Sequence, residues 1–226
     1  MKRSTVLFYL VHVAKYNHAE AKQLLASEQV LVNGAITRID QLLQKQDALH
    51  VGDRLLKPGK IWKYYAYHKP RGIESTLNKN INANLAAHID VDEHLFPVGR
   101  LDKTSEGLMI LTNDGSVYKK TLAKEEQIEK EYLVRLNKSI DVSFQVAMEE
   151  GIVIMGQKTL PCQVKLLDEH TFSIILIQGL NRQIRRMCYK LGYEVVSLKR
   201  IRIGSLSLGD LKEGVLQEIE KGSWLL

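Results

Sequence analysis

Three groups of residues carry side chains suited to chemistry. The first is Gly99-Arg100-Leu101-Asp102-Lys103-Thr104-Ser105-Glu106-Gly107, where an arginine stands two residues before an aspartate and glycines flank both. Such a string would hold a charged carboxylate and a guanidinium on one tight loop. The plain alternative is a surface turn with an incidental ion pair. The second group is Asn181-Arg182-Gln183-Ile184-Arg185-Arg186, opening a helix whose Ile184, Met187, Cys188 and Leu191 form one apolar face. Arginines in the first turns oppose the helix dipole, which favours anions there. They are unfavourable for the helix alone and make sense with phosphates or a carboxylate opposite them; the alternative is a solvated basic face. The third is Tyr132, which alternates with charged neighbours at strand spacing. A strand tyrosine is most often ordinary core or half-buried packing, and only its place between the other two groups makes it a stacking candidate.

Little else offers a competing chemistry. No Ser-His pairing of the kind a hydrolase needs lies near Asp102, and no second carboxylate pairs with it as glycoside hydrolysis requires. Asp114, in Asn113-Asp114-Gly115, reads as a turn residue, and the 7 histidines show no ligand or triad spacing. The 2 cysteines, Cys162 and Cys188, lie far apart without a CxxC pattern, so zinc is not expected and a reducing cytoplasm is the default compartment. The sequence shows no glycine-rich phosphate loop and no metal-ligand cluster.

A net charge of +6 suits a polyanionic partner, because lysines and arginines that neutralise phosphates release condensed counterions. A basic but solvated surface is the alternative. The 226 residues fit one large domain with a small appendage. The appendage spans residues 1–57. Val6, Leu7, Leu10, Val11 and Ala14 fall at helical spacing, and His12 and Lys15 interrupt the apolar run, which argues for a core-packing helix over a signal peptide. A second helix is predicted from about His18 to Glu28, then a strand at Val30–Val32, an Asn33-Gly34 hairpin turn and a strand at Leu49–Val51. Residues 58–62 read as a linker. Beyond it, strands are predicted at Lys130–Leu136, Val164–Leu167, Phe172–Ile177 and Val195–Ile203. Helices are predicted near Ser116–Lys124, Val142–Glu149 and Asn181–Leu191. The interleaving predicts an α+β sheet domain. No stretch approaches the roughly 20 apolar residues of a membrane span.

As a string, GRLDKTSEGLMILTNDG (Gly99 to Gly115) resembles the signature of bacterial pseudouridine synthases in the group that includes RsuA, RluB, RluE and RluF. Three further pieces lie in family order. HKPRGIEST (His68 to Thr76) resembles the family's lysine-proline turn, KEYLVRL (Lys130 to Leu136) its tyrosine motif, and QGLNRQIRRMCYKLGYEV (Gln178 to Val195) its third motif in the form of the RluF branch. At the N-terminus, two helices followed by VLVNGAI and VGDRL resemble the small RNA-binding domain first known from a ribosomal small-subunit protein, the S-four type. The departure is between the helices, where Tyr16 to Ala21 stand in place of several basic residues; Lys15, Lys22 and Arg38 are the cations available nearby.

The resemblance implies a pseudouridine synthase fold over residues 63–226, a mostly antiparallel mixed sheet flanked by helices. It implies an isomerase that breaks the C1′–N1 bond of a uridine in ribosomal RNA, turns the base and joins C1′ to C5, without a cofactor. On this footing Asp102 is the catalytic aspartate, Tyr132 lies in the pocket, and Arg185 is the cation against the carboxylate. Arg100 supports the loop and the flipped backbone. Lys69, Arg71, Asn181, Arg182, Gln183 and Arg186 are the substrate-binding candidates. The implied partner is 23S ribosomal RNA, with tRNA as a further substrate; a monomer is the default, since oligomeric state is not readable from the sequence, in the cytoplasm that cysteine usage suggests. A non-catalytic RNA-binding or ribosome-assembly factor is the competing reading, and the intact set of Asp102, Tyr132 and Arg185 speaks against it.

Overall fold

The computed structural model describes residues 4–89, 95–117 and 128–222. The chain divides into two compact units, residues 1–62 and 63–226, each with its own core.

In the N-terminal unit, α1 (Val6–His12) starts where the Thr5 hydroxyl accepts the Phe8 N–H at 3.2 Å. Helix α2 (His18–Ala26) starts at a capping box: Asn17 Oδ1 accepts from Glu20 N–H and the Glu20 carboxylate accepts from Asn17 N–H, both at 2.9 Å. Strands β1 (Val30–Val32), β2 (Ala35–Ile36), β3 (Leu49–Val51) and β4 (Arg54–Lys57) form an antiparallel sheet in the order β2-β1-β3-β4. Asn33 and Gly34 both have positive φ, 53° and 81°, the conformation that an Asn-Gly hairpin turn demands. The helices close over the sheet through Val6, Leu10, Ala21, Leu25, Val30 and Leu49. Lys15 and Lys22 are exposed. Arg38 is exposed as well, but its guanidinium is held by Glu28 at 2.7 Å and so is less free for RNA than its sequence position suggests.

The second unit runs β5 (Tyr64–Lys69), a 3-10 turn (Leu85–Ala87), β6 (Phe96–Val98), β7 (Glu106–Thr112), β8 (Lys130–Leu136), α3 (Val142–Glu150), β9 (Val153–Ile154), β10 (Gln157–Lys158), β11 (Gln163–Leu166), β12 (Thr171–Leu176), α4 (Gln183–Lys190), β13 (Val195–Ile203), β14 (Leu206–Ser207) and β15 (Leu216–Glu218). Its main sheet has the order β11-β12-β8-β13-β7-β5-β15, with β14 on β13 and β6 on β7. Among the described residues every pairing in it is antiparallel except β13 with β7. The α+β expectation holds, and the predicted strands and the helices at Val142 and Gln183 appear within one or two residues of their expected bounds. Of the helix predicted near Ser116–Lys124, residues 118–124 lie outside the described residues. Helix α3 packs Phe144 edge-on against Phe172 and Tyr193, with ring centroids 5.2 and 4.8 Å apart.

Strand β7 is buried from Gly107 to Thr112, which is why it reads as an apolar run and not as an alternation. A Cβ on Gly107 would stand 2.3 Å from the Arg200 carbonyl oxygen, and Gly107 has φ 111°. Glycine is therefore what lets β7 and β13 meet. Among the described residues no helix is long and apolar enough to cross a membrane.

Asp114, at the end of β7, is a structural acid, as its turn context predicts. Its buried carboxylate accepts from Tyr64 Oη at 2.7 Å, from Ser116 Oγ at 2.7 Å and from Ser116 N–H at 2.9 Å, and Lys221 stands 3.3 Å away. Burial works to raise its pKa, but these donors outweigh it and hold the group at about 2. A depressed native pKa adds stability above the unfolded value and loses it as pH falls through the native one. Asp114→Asn should therefore lower stability by about 2 kcal/mol at neutral pH, a difference that shrinks between about pH 4 and pH 2. Urea melts across that range check it, and parallel pH profiles for both proteins would refute it.

Candidate active site

Asp102 sits on the loop between β6 and β7, and that loop is held from below. Leu101 is buried, and Ser75 clamps its backbone twice: Ser75 Oγ donates to the Leu101 carbonyl at 2.7 Å and accepts the Leu101 N–H at 3.1 Å. Gly72 N–H bonds the Lys103 carbonyl at 2.7 Å, and Ser105 N–H closes a turn on the Asp102 carbonyl at 3.0 Å. The backbone on both sides of Asp102 is thus fixed to the 72–75 segment, while its side chain stays 31% exposed.

Opposite stands the N-terminus of α4. Arg182 precedes the helix in the left-handed conformation (φ 51°), unusual for a residue with a side chain. Its Nη1 lies 3.7 Å from Asp102 Oδ2, with the Arg182 side chain 45% exposed. The ion-pair partner of the carboxylate is therefore Arg182, where the family resemblance implied Arg185. Arg185 instead ties down the chain beyond Asp102. Its guanidinium donates to the carbonyls of Thr104 at 3.0 Å and Val195 at 3.1 Å and reaches Ser105 Oγ at 3.4 Å. Burial, then neighbouring Arg182, push this guanidinium below its ordinary range, and Asp102 works against them. Arg185 thus remains in the field of the carboxylate without touching it.

The two walls enclose a cleft of about 660 Å³, lined by Arg100, Asp102, Asn181, Arg182 and Gln183 and floored by Tyr132 and Arg200. Tyr132 is half-buried between the two cores of the unit. Arg100 is exposed. Gln183 is buried, its Oε1 accepting the Leu180 N–H at 3.0 Å, so it shapes the loop that forms the wall. Asn181 is bound by Arg186, through its carbonyl at 3.0 Å and its Oδ1 at 3.2 Å. Arg71, exposed, reaches the Val196 carbonyl at 3.3 Å and does not line the cleft.

Lys69 corrects the sequence reading. As the last residue of β5 it is fully buried at 0% exposure, and its ammonium donates to the carbonyls of Pro70 at 2.6 Å and Ile73 at 2.8 Å. Burial pushes it down to about 8 although Glu74, Glu106, Asp102 and Glu213 oppose the shift. A group so enclosed cannot hold a phosphate; it braces the turn that carries Ser75.

A family model described as RNA pseudouridylate synthase matches residues 63–190, more than half of the chain and all of the cleft except its β13 floor. The chain belongs to this family. The synthase is 38% identical over 202 residues to the dual-specificity RNA pseudouridine synthase RluF of Escherichia coli strain K12, covering 88% of this chain and 70% of the relative. It is 29% identical to the ribosomal large subunit pseudouridine synthase B of Bacillus subtilis over 93% of this chain and 89% of that one. A solved structure described as a pseudouridylate synthase superposes with a TM-score of 0.69 at 25% identity, covering 98% of this synthase and 99% of that chain. The protein is an RNA-modifying isomerase.

Sequence reasoning missed Ser75, Lys130 and Arg200 as site residues of the synthase. Ser75 lies inside the His68–Thr76 string, but nothing in its type or spacing sets it apart from the polar residues around it. Removing its hydroxyl should free Leu101 without touching the cleft wall. Ser75→Ala is expected to lower kcat by roughly tenfold with KM within about twofold, because misplacing a reacting group costs rate before affinity. Steady-state kinetics on RNA substrate would decide it; an unchanged kcat would show that the loop holds itself.

Proposed function

We propose that this synthase isomerises a uridine of 23S ribosomal RNA to pseudouridine in the Asp102 cleft, and that tRNA is a second substrate class. The observation that carries the reading is the meeting, in one cleft, of Asp102, a guanidinium at 3.7 Å and a tyrosine face. The RluF relative supports the choice of RNA through its name, which records dual specificity, and the Bacillus subtilis relative through its large-subunit designation.

The target uridine must leave its stack to reach the cleft, at a cost of roughly a few kcal/mol that falls if it already lies in a loop. Its base then stacks on Tyr132. RNA covering the cleft removes water from Asp102, and the Arg182 guanidinium at 3.7 Å faces the carboxylate in its place. The carboxylate then either adds to the nucleotide or removes the C2′ proton, and both routes break C1′–N1 and join C1′ to C5. Arg100, Arg71 and Arg186 meet phosphates, as do Lys15 and Lys22 of the N-terminal unit, which serves as an S-four-like RNA-binding domain. The protein works as a cytoplasmic monomer.

Two measurements test this. The enzyme should release tritium from [5-³H]uridine-labelled ribosomal RNA, since the C5 hydrogen is lost when C5 bonds C1′. A deletion strain should lack one pseudouridine in 23S RNA. No release would reject the activity, and a missing site in 16S RNA alone would reject the substrate.

A further inference from the structure

The floor of the cleft holds a cation that the mechanism above does not use. Arg200, on β13, pairs in register with Tyr132 of β8, so both side chains stand on the same face of the sheet. It is 3% exposed. Its Nε donates to the Leu108 carbonyl at 2.6 Å, while Nη2 is buried with no hydrogen-bond partner. Lys130, also lining the cleft, donates to the Ile128 carbonyl at 2.8 Å. Burial first, then the charge of Arg200, push the Lys130 ammonium below its ordinary range. Among the described residues no carboxylate pairs with either side chain. A buried guanidinium with an orphaned donor beside a second cation is costly to the fold. Such an arrangement persists where a negative ligand completes it.

We infer that Arg200, assisted by Lys130, stabilises the uracil as it departs from the ribose, by donating from its guanidinium to a carbonyl oxygen of the base. The inference rests on the pseudouridine reading. When C1′–N1 breaks, the electron pair stays on the base, giving a uracil anion whose charge spreads over N1, O2 and O4. The base then turns, C5 bonds C1′, the C5 proton passes to solvent and N1 regains a proton. A fixed cation placed where that charge appears lowers the barrier without tightening ground-state binding. Arg200 stands on the same sheet face as Tyr132 and lines the cleft with it, whereas Asp102 and Arg182 lie on the loop and the helix start beside it.

The test uses the full chain with an RNA carrying one target uridine, measuring single-turnover tritium release and RNA affinity separately. Arg200→Met should lower the rate on the order of 10²-fold, as loss of an oxyanion donor does, with Kd within about twofold. Lys130→Met should lower it less. Sulfur in place of O2 or of O4 on the target base weakens the acceptor. At one of these positions the effect should be marked in the wild type and absent in Arg200→Met. If the Arg200→Met substitution unfolds the protein by thermal melt, Arg200→Lys, which keeps the charge, takes both measurements. An unchanged rate, a loss confined to Kd, or independent effects of sulfur and variant at both positions would overturn the inference. Absence of release by the wild type would instead remove the pseudouridine reading, and this inference with it.

Discussion

Asp102→Asn should abolish tritium release, by roughly 10⁴-fold or more, while RNA affinity stays within about threefold of wild type. The amide keeps the size of the carboxylate and its place on a loop held by Ser75, Gly72 and the Ser105 turn, so the geometry survives. What goes is the negative charge, without which the group neither adds to the nucleotide nor takes a proton from C2′. A 10⁴-fold loss corresponds to about 5.4 kcal/mol of transition-state stabilisation. Stability should hardly change, because the Asp102–Arg182 pair is 31% and 45% exposed and such pairs contribute about 0–1 kcal/mol. Single-turnover kinetics and filter binding separate the two effects. Comparable turnover by the variant would take Asp102 out of the chemistry, and a loss confined to binding would make it an RNA contact.

Arg185→Met is the second large effect, expected at roughly 10²–10³-fold in rate. The substitution removes the bonds to Thr104 and Ser105, which join α4 to the Asp102 loop, and the bond to Val195 at the start of β13. Lysine should rescue little, since it cannot present a fork of donors to three acceptors. Arg182→Met, by contrast, should cost about tenfold and depend on salt, because it removes an exposed charge and no backbone anchor. A double variant of Asp102→Asn and Arg185→Met should be no slower than Asp102→Asn alone, as expected of residues acting through one group. If Arg182→Met proves the slower enzyme, the two arginines exchange roles.

The boundary of one helix explains why their assignment was not legible in the sequence. The arginine string predicts a helix from Asn181, but α4 begins at Gln183, with Arg182 in a left-handed conformation ahead of it. That single backbone turn decides which guanidinium faces the carboxylate, and no periodicity carries it. Lys69 misled for a related reason. Beside Pro70-Arg71-Gly72 it reads as part of an exposed turn, yet β5 continues through it and turns the side chain inward. Features set by local chemistry were legible: the Asn33-Gly34 hairpin, the Asp114 turn, and β7 as an apolar run behind a glycine. Arg200 did leave a trace. It falls at the alternation of Leu198 in β13, a charge where an inward-facing apolar residue belongs.

The parallel seam between β7 and β13 places Glu106 beside Lys199 and Gly107 beside Arg200, segments separated by most of the catalytic unit. During synthesis on the ribosome, the loop bearing the acid emerges long before the strand that completes its surroundings. Chain closure over that interval is entropically slow, so assembly of a working centre waits on the last long strand. A nascent polypeptide halted before Val195 carries its acid with no competent pocket around it.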